Sequence, residues 1–186
     1  GSFVPAKAAS VCITSKIFTR IGALDNLSQG KSTFMVEMSE LADIIENADK
    51  NSLIILDEIG RGTSTIDGVS IALATVHYIT SKIGAKTLFA THYHQLSSLE
   101  DKIDGVVNYK VTVSEDGENV AFLHTIKRGG TDKSFGIYVA KLAGLPADFI
   151  SMAGNIMKSQ SEEDFKPEYD TQNVIETSEN DGYKDK

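Results

Sequence analysis

The sequence has no tryptophan, three prolines and a single cysteine in 186 residues. One cysteine, Cys12, cannot form a disulfide framework and fits a reducing cytoplasm. No apolar run reaches the ~20 residues of a membrane span, and the first residues lack a signal-peptide pattern. Lysine and arginine form no stripe, so the chain gives little sign of its own nucleic-acid surface. Together these absences predict a cytoplasmic globular protein that does not contact membranes.

The net charge of −8 is concentrated at the C-terminus. Residues 161–186 contain nine acidic and three basic side chains, which leaves a net charge of −2 for the rest of the chain. This segment also lacks an apolar period, a combination typical of disorder. We therefore predict a folded body that ends near residue 160, followed by an acidic disordered tail.

Strand and helix patterns alternate through the first half of the chain. Apolar runs predict three strands, at residues 11–18, 53–56 and 86–90. The continuous apolar run at 53–56 indicates burial on both faces of a parallel sheet, and 86–90 is predicted as another buried strand. A helical period follows each of the first two strands. The first of these helices begins near Thr33 and places Glu37 off its apolar face.

A different pattern occupies the second half of the chain. Residues 106–113 and 119–125 predict a β-hairpin. Residues 134–143 and 146–159 predict two short helices, separated by Gly144. The predicted fold class is α/β, with a largely parallel sheet flanked by helices and a helical C-terminal appendage.

The clearest chemical signal is the stretch LIILDEIGRGTSTIDG at residues 53–68. Its apolar strand delivers Asp57 and Glu58 to the carboxyl end of the sheet, where phosphates and Mg²⁺ bind in α/β folds. Asp57 suits Mg²⁺, which takes one or two carboxylates together with waters and phosphate oxygens. Glu58 is placed to orient or deprotonate an attacking water. The alternative is a strand end that carries two solvated acids.

A histidine, His92, follows the neighbouring strand in LFATH at residues 88–92. If Asp57 holds a metal ion, His92 leaves the same sheet edge and can donate a hydrogen bond to a terminal phosphate. By itself, a histidine at a strand end is more often structural. Beside the acidic pair we interpret it as functional.

The stretch NLSQGKST at residues 26–33 ends like a P-loop, whose pattern is G-x-x-x-x-G-K-[ST]. The first glycine of that pattern would stand at position 25, which is Asp25, and no apolar strand precedes the loop. We therefore interpret the stretch as something other than a P-loop. Ser32 or Thr33 is a suitable N-cap for the helix that follows.

Four long motifs in a fixed order carry a family resemblance. They are STFMVEMSE (32–40), LDEIGRGTSTIDG (56–68), LFATHY (88–93) and KSFGIYVAKLAGLP (133–146). Together they resemble the C-terminal ATPase domain of the MutS family, the ABC-type ATPases of DNA mismatch repair, from residue 1 to about residue 160. The resemblance implies a P-loop NTPase-like fold and ATP hydrolysis at a composite dimer interface, with ATP and Mg²⁺ as cofactors.

The resemblance also implies roles for individual residues. Asp57 matches the Mg²⁺-binding acid and Glu58 the catalytic acid, while His92 matches the switch histidine. Ser32 matches the signature loop, which contacts the γ-phosphate of ATP held by the partner subunit. The two remaining matches are Asp67, in the loop along the dimer interface, and His124, which packs on the adenine.

The partners that the resemblance implies lie partly outside this chain. A homodimer would form through the ATPase face and a helix-turn-helix element at residues 131–160. Mismatched DNA would be bound by other domains of a longer protein, and a MutL-type protein would act downstream. The implied location is the bacterial cytoplasm, in association with the nucleoid. The remaining segments would be a partial ATPase domain at 1–130 and the tail at 161–186.

The chain departs from the family pattern at its start. In the family, the true P-loop lies just upstream of a segment resembling GSFVPA, which forms residues 1–6 here. We therefore expect the 186-residue chain alone to lack ATP hydrolysis and to leave part of its sheet uncovered. The alternative function is a non-catalytic dimerisation or interaction module.

Overall fold

A computed structural model describes residues 3–22, 32–116, 119–131 and 134–160. The chain divides into two compact units, Gly1–Asn108 and Tyr109–Lys186. The predicted acidic tail and residues 26–31 of NLSQGKST lie outside the described residues. None of the helices in the described part combines the length and the apolar character that crossing a membrane requires.

The first unit contains two consecutive strand–helix–strand crossovers. Its strands are β1 (Ile17–Arg20), β2 (Leu53–Asp57) and β3 (Lys86–Ala90), which are parallel and adjacent in that order. Its helices are α1 (Thr33–Asn47) and α2 (Thr65–Tyr78). The predicted parallel sheet with helical crossovers is confirmed.

Two shorter helical segments complete the described part of this unit. One π-helical turn, Ile79–Ile83, continues α2 and ends at Gly84, whose φ is +71°. A 3₁₀ helix, His94–Asp101, follows β3 and has no counterpart in the prediction. The predicted first strand is wrong in its start, because pairing with β2 begins only at Ile17.

The two faces of the sheet differ in burial. On one face, Ile54 and Leu56 of β2 are fully buried against apolar side chains of α1 and the π-helical turn. Each such side chain contributes about 1.5–3 kcal/mol by leaving water. On the other face, Ile17 is 64% exposed and Leu88 is 63% exposed. The prediction that β3 is a buried strand is therefore wrong, because the described helices of the first unit pack on the opposite face.

The second unit contains a hairpin and a pair of helices. Strands β4 (Tyr109–Asp116) and β5 (Asn119–Arg128) pair antiparallel, with a register shift between Val111 and Val113. Helices α3 (Gly136–Leu142) and α4 (Ala147–Gln160) follow. The predicted hairpin and the two short helices are confirmed, although β4 starts three residues later and β5 extends three residues further than predicted.

Candidate functional site

The carboxyl edge of the sheet gathers the acids and the histidine that the motifs single out. Asp57 ends β2 and pairs with Ala90, which ends β3. The N–H of Glu58 donates to the Ala90 carbonyl at 2.9 Å, so the strand pairing extends one residue further. His92 Nδ1 lies 3.6 Å from Glu58 Oε1. The prediction that these residues leave one sheet edge is confirmed, while their chemical roles stay predictions.

Glu58 holds a backbone conformation that its residue type disfavours. Its φ is +52°, and among the described non-glycine residues it alone has a positive φ. Such a conformation costs about 1–3 kcal/mol, and outliers of this kind cluster at functional sites. The side chain is 38% exposed, and Oε2 forms an ion pair with Nη1 of Arg61 at 2.5 Å. The Glu58 carboxylate is therefore accessible at the sheet edge.

Gly60, two residues further on, is held through both of its backbone polar groups. Its N–H donates to Glu37 Oε1 at 2.5 Å, and its carbonyl accepts a hydrogen bond from the Tyr93 hydroxyl at 2.9 Å. A Cβ at Gly60 would lie 2.6 Å from the Cα of Gly68, in the first turn of α2. With this contact and a φ of +90°, the position requires glycine.

Glu37 is a buried residue of α1. The prediction that it lies off the apolar face of this helix is wrong, because it is 4% exposed. The Glu37 Oε2 atom lies 3.6 Å from Nη2 of Arg20, which is also buried. The Nε atom of Arg20 forms an ion pair with Glu40 Oε2 at 3.0 Å, but this contact does not have the geometry of a hydrogen bond. Burial of the charge is tolerated because the carboxylate is paired and accepts the Gly60 N–H. Its position four residues before buried Leu41 is the sequence signal for this burial.

Tyr93 is the second residue of the site that sequence reasoning missed. It is 7% exposed, and its ring centroid lies 4.4 Å from that of His92. Burial raises the pKa of its hydroxyl, and the negative charges of Glu37 and Glu58 raise this pKa further. The hydroxyl therefore stays protonated at neutral pH and serves as a donor to Gly60.

Ser32 stands at the N-terminus of α1, beside the loop after β2. Its Oγ accepts the N–H of Met35 at 3.2 Å, which confirms the N-cap prediction. Two residues on, Phe34 packs against the loop, since a Cβ at Gly62 would lie 3.0 Å from Phe34 Cβ. The exposed Ser32 hydroxyl is thus presented by a helix whose first turn contacts the loop of Glu58.

Asp67 lies in the first turn of α2, which begins at Thr65 and is capped by Ser64. Ser64 Oγ accepts the Asp67 N–H at 3.2 Å and donates to Asp67 Oδ2 at 2.8 Å. This reciprocal pair of hydrogen bonds resembles a capping box. It gives both residues a structural role in starting α2. Asp67 is nevertheless exposed, so the capping role leaves it open to further contacts.

The last predicted ligand residue, His124, belongs to β5 of the second unit. Its side chain lies outside the described part of the structure, so its contact with adenine stays a prediction. Among the described residues, no group of three or more histidine, cysteine, aspartate or glutamate side chains is arranged to hold a metal ion. Asp57 is partly buried at the sheet edge.

Comparison with known proteins agrees with the motif pattern. The MutS domain V family matches residues 1–161. The DNA mismatch repair protein MutS of Acetivibrio thermocellus is 57% identical over 88% of this chain and 19% of its own length. The MutS of Alkaliphilus oremlandii is 56% identical over 96% of this chain and 20% of its own length. The MutS of Lachnoclostridium phytofermentans is 60% identical over 88% of this chain and 18% of its own length. The chain spans about a fifth of the length of these relatives, and it belongs to the MutS domain V family.

Proposed function

We propose that this chain forms part of the ATPase domain of a DNA mismatch repair protein of the MutS type, with an ABC-type, P-loop NTPase-like fold. The observation that carries the proposal is the placement of Glu58. Its strained backbone presents an accessible carboxylate next to Asp57 and 3.6 Å from His92, at the carboxyl edge of a parallel sheet. Phosphate ligands bind at this edge in α/β folds.

Glu58 would act as the base that orients or deprotonates the attacking water. Its ion pair with Arg61 joins two exposed side chains, 38% and 73% exposed. Exposed pairs of this kind contribute only about 0–1 kcal/mol, so a water can replace the guanidinium at small cost. His92, which faces the same carboxylate, would donate a hydrogen bond to the terminal phosphate of ATP.

Asp57 is the residue that would hold Mg²⁺. One carboxylate at the sheet edge fits an ion that prefers to keep water and phosphate ligands, whereas an all-protein cage would need several converging acids. When bound with ATP, the ion supplies charge neutralisation for the phosphates. The chain contributes the position of the carboxylate, because Asp57 is held by the pairing of β2 with β3, opposite Ala90.

The composite dimer site would use residues that face outward. Ser32 is exposed at the N-terminus of a fifteen-residue helix, where free amides and a hydroxyl suit contact with a γ-phosphate. Asp67 would lie along the dimer interface, and His124 would pack on the adenine. We propose that α3 and α4 form the helix-turn-helix element within 131–160, between the partial ATPase domain at 1–130 and the tail at 161–186.

Steady-state ATP hydrolysis by the full-length protein tests the proposal. Glu58→Ala is expected to lower kcat by at least about 100-fold, since it removes the base. Glu46→Ala, an exposed acid on α1, is the control and should keep wild-type turnover. Full turnover by Glu58→Ala would reject the proposed function.

Action of Ser32 across the dimer has a test of its own. Ser32→Ala subunits and P-loop variant subunits should each be inactive, and their mixture should regain turnover. Each mixed dimer then contains one site with an intact P-loop and an intact serine. A mixture as inactive as its two components would reject the assignment of Ser32 to the partner's nucleotide.

A second candidate function is a non-catalytic dimerisation or interaction module. It is favoured by the apolar side chains that the helix pair exposes, with Leu142 and Met152 each 63% exposed and Phe149 52% exposed. Titration of the 186-residue chain with Mg·ATP discriminates the two functions, because tight binding would reject the module. Mismatched DNA, a MutL-type partner and a nucleoid-associated cytoplasmic location belong to the proposed function of the longer protein.

A further inference from the structure

The Gly60 clamp, defined by Glu37, Gly60 and Tyr93, joins three separate parts of the first unit. Glu37 comes from α1, Gly60 from the loop after β2, and Tyr93 from the segment after β3. The two hydrogen bonds span 23 and 33 residues of sequence. The clamp therefore connects the helix that Ser32 caps with the segment that carries His92.

The clamp restrains the peptide units on both sides of Gly60. The bond to Glu37 holds the unit that precedes Gly60, and the bond from Tyr93 holds the unit that follows it. Rotation about either φ or ψ of this glycine would break one of them. Gly68 closes the remaining space, since it lies in contact with the Gly60 backbone.

The restraint extends to Glu58 because the backbone between them is also fixed. The N–H of Glu58 is bonded to the Ala90 carbonyl, and the side chain of Ile59 is fully buried. Glu58 thus lies between a strand pair on one side and the Gly60 clamp on the other. A positive φ at a non-glycine residue persists only where its surroundings determine it in this way.

We propose that Glu37 and Tyr93 are positioning residues, which hold Glu58 in its left-handed conformation and couple its geometry to the start of α1 and to His92. This inference rests on the proposed function, in which Glu58 is the base. Neither residue touches the reacting atoms; both act through the Gly60 backbone. Any shift of Ser32 or His92 on nucleotide binding is thereby transmitted to Glu58.

The charge on Glu37 fits a positioning role better than a purely stabilising one. Glu37 and Arg20 form a pair in which each side chain is only 6% exposed. Buried ion pairs are weak contributors to stability, because desolvation offsets their attraction. A charged acceptor nevertheless makes a stronger and more directional bond to the Gly60 N–H than a neutral one would.

The test compares Tyr93→Phe and Glu37→Gln in the full-length protein, with Tyr78→Phe and Glu46→Gln as matched controls on α2 and α1. Tyr93→Phe keeps the ring beside His92 and removes only the donor. It should lower kcat by about tenfold, with the KM for ATP changed less than about twofold. Glu37→Gln should lower kcat by about threefold, because the amide remains a weaker acceptor. Both controls should match the wild type.

Three outcomes decide the matter. Turnover of Tyr93→Phe and Glu37→Gln within twofold of wild type, with Glu58→Ala inactive, overturns the positioning role and leaves the proposed function intact. Equal losses in turnover and in nucleotide affinity also overturn it, because general loosening of the fold gives that result. Full turnover by Glu58→Ala overturns the proposed function and the positioning role together. If Glu37→Gln does not fold, the isosteric Tyr93→Phe decides alone.

Discussion

The loop after β2 and the α3–α4 helix pair differ in where their side chains find partners. In the loop, Ile59 is fully buried and Gly60 is bonded through both backbone groups. In the helix pair, no described residue is buried, and Leu142 and Met152 are 63% exposed. The loop obtains its geometry from contacts inside its own unit, whereas the helix pair presents its apolar side chains outward. The difference suits a fixed chemical site in one region and an association surface in the other.

The largest expected effect breaks the packing of the loop. Gly60→Ala would place a methyl group 2.6 Å from the Gly68 Cα at a φ of +90°, so local stability should fall by about 3 kcal/mol or more. Gly144→Ala, between α3 and α4, shares a positive φ but meets nothing within 4 Å. It should cost only about 1–2 kcal/mol.

Amide hydrogen exchange in the full-length protein measures both substitutions, because it reports local opening in each unit separately. Protection of the β2 amides should drop strongly in Gly60→Ala and stay unchanged in Gly144→Ala. If each substitution lowers the local stability around its own position equally, then backbone strain alone, without the contact to Gly68, fixes the loop.

A core substitution sharpens the same contrast. Ile54→Ala removes a fully buried side chain and should destabilise the first unit by about 2–5 kcal/mol. Met152→Ala removes a side chain that is 63% exposed and should change stability by less than about 0.5 kcal/mol. Chemical denaturation of the full-length variants checks the two values. A comparable loss from Met152→Ala would show that the helix pair is already covered by a partner.

Strain at Glu58 predicts that glycine at this position gives a more stable fold than alanine, although both substitutions remove activity. Glycine adopts a φ of +52° without a Cβ penalty, so Glu58→Gly should gain about 1 kcal/mol over Glu58→Ala. Both variants lack the carboxylate and should be equally inactive. Denaturant midpoints and ATP turnover of the pair test this. A less stable Glu58→Gly would contradict the presence of strain at this position.

The smallest effect is a pH dependence that arises from Tyr93. Its pKa in the folded protein is raised, chiefly by burial and further by Glu37 and Glu58. Folding therefore favours the neutral tyrosine, and the resulting contribution to the stability of the folded state is fully present below the pKa of the unfolded tyrosine. It should be lost as the pH rises through the higher folded pKa. The free energy of unfolding, measured across this alkaline range, should fall more steeply for wild type than for Tyr93→Phe. Identical curves would contradict the raised pKa of Tyr93.

Local signals were sufficient for much of the fold and for the strand-end residues. The apolar run before Asp57 predicts β2 and Ser32 predicts the start of α1, because each depends on neighbouring residues only. Asp57 and His92 were placed at one edge by the rule that parallel strands end together.

The remaining features depend on tertiary contacts that no local pattern specifies. Glu37 and Tyr93 acquire their roles through Gly60, which lies 23 and 33 residues away from them. Burial of β3 was predicted wrongly because an apolar run such as Leu88-Phe89 does not reveal which face the helices cover. The strain at Glu58 follows from the surrounding loop and is likewise invisible in the sequence.

The central claim is that the Glu58 carboxylate is the base of an ATPase site. ATP turnover by the full-length Glu58→Gln variant at saturating Mg·ATP tests it most directly, because this change removes the charge and keeps the shape. We expect a loss in kcat of at least about 100-fold, with nucleotide binding retained. Turnover equal to that of the wild type would contradict it.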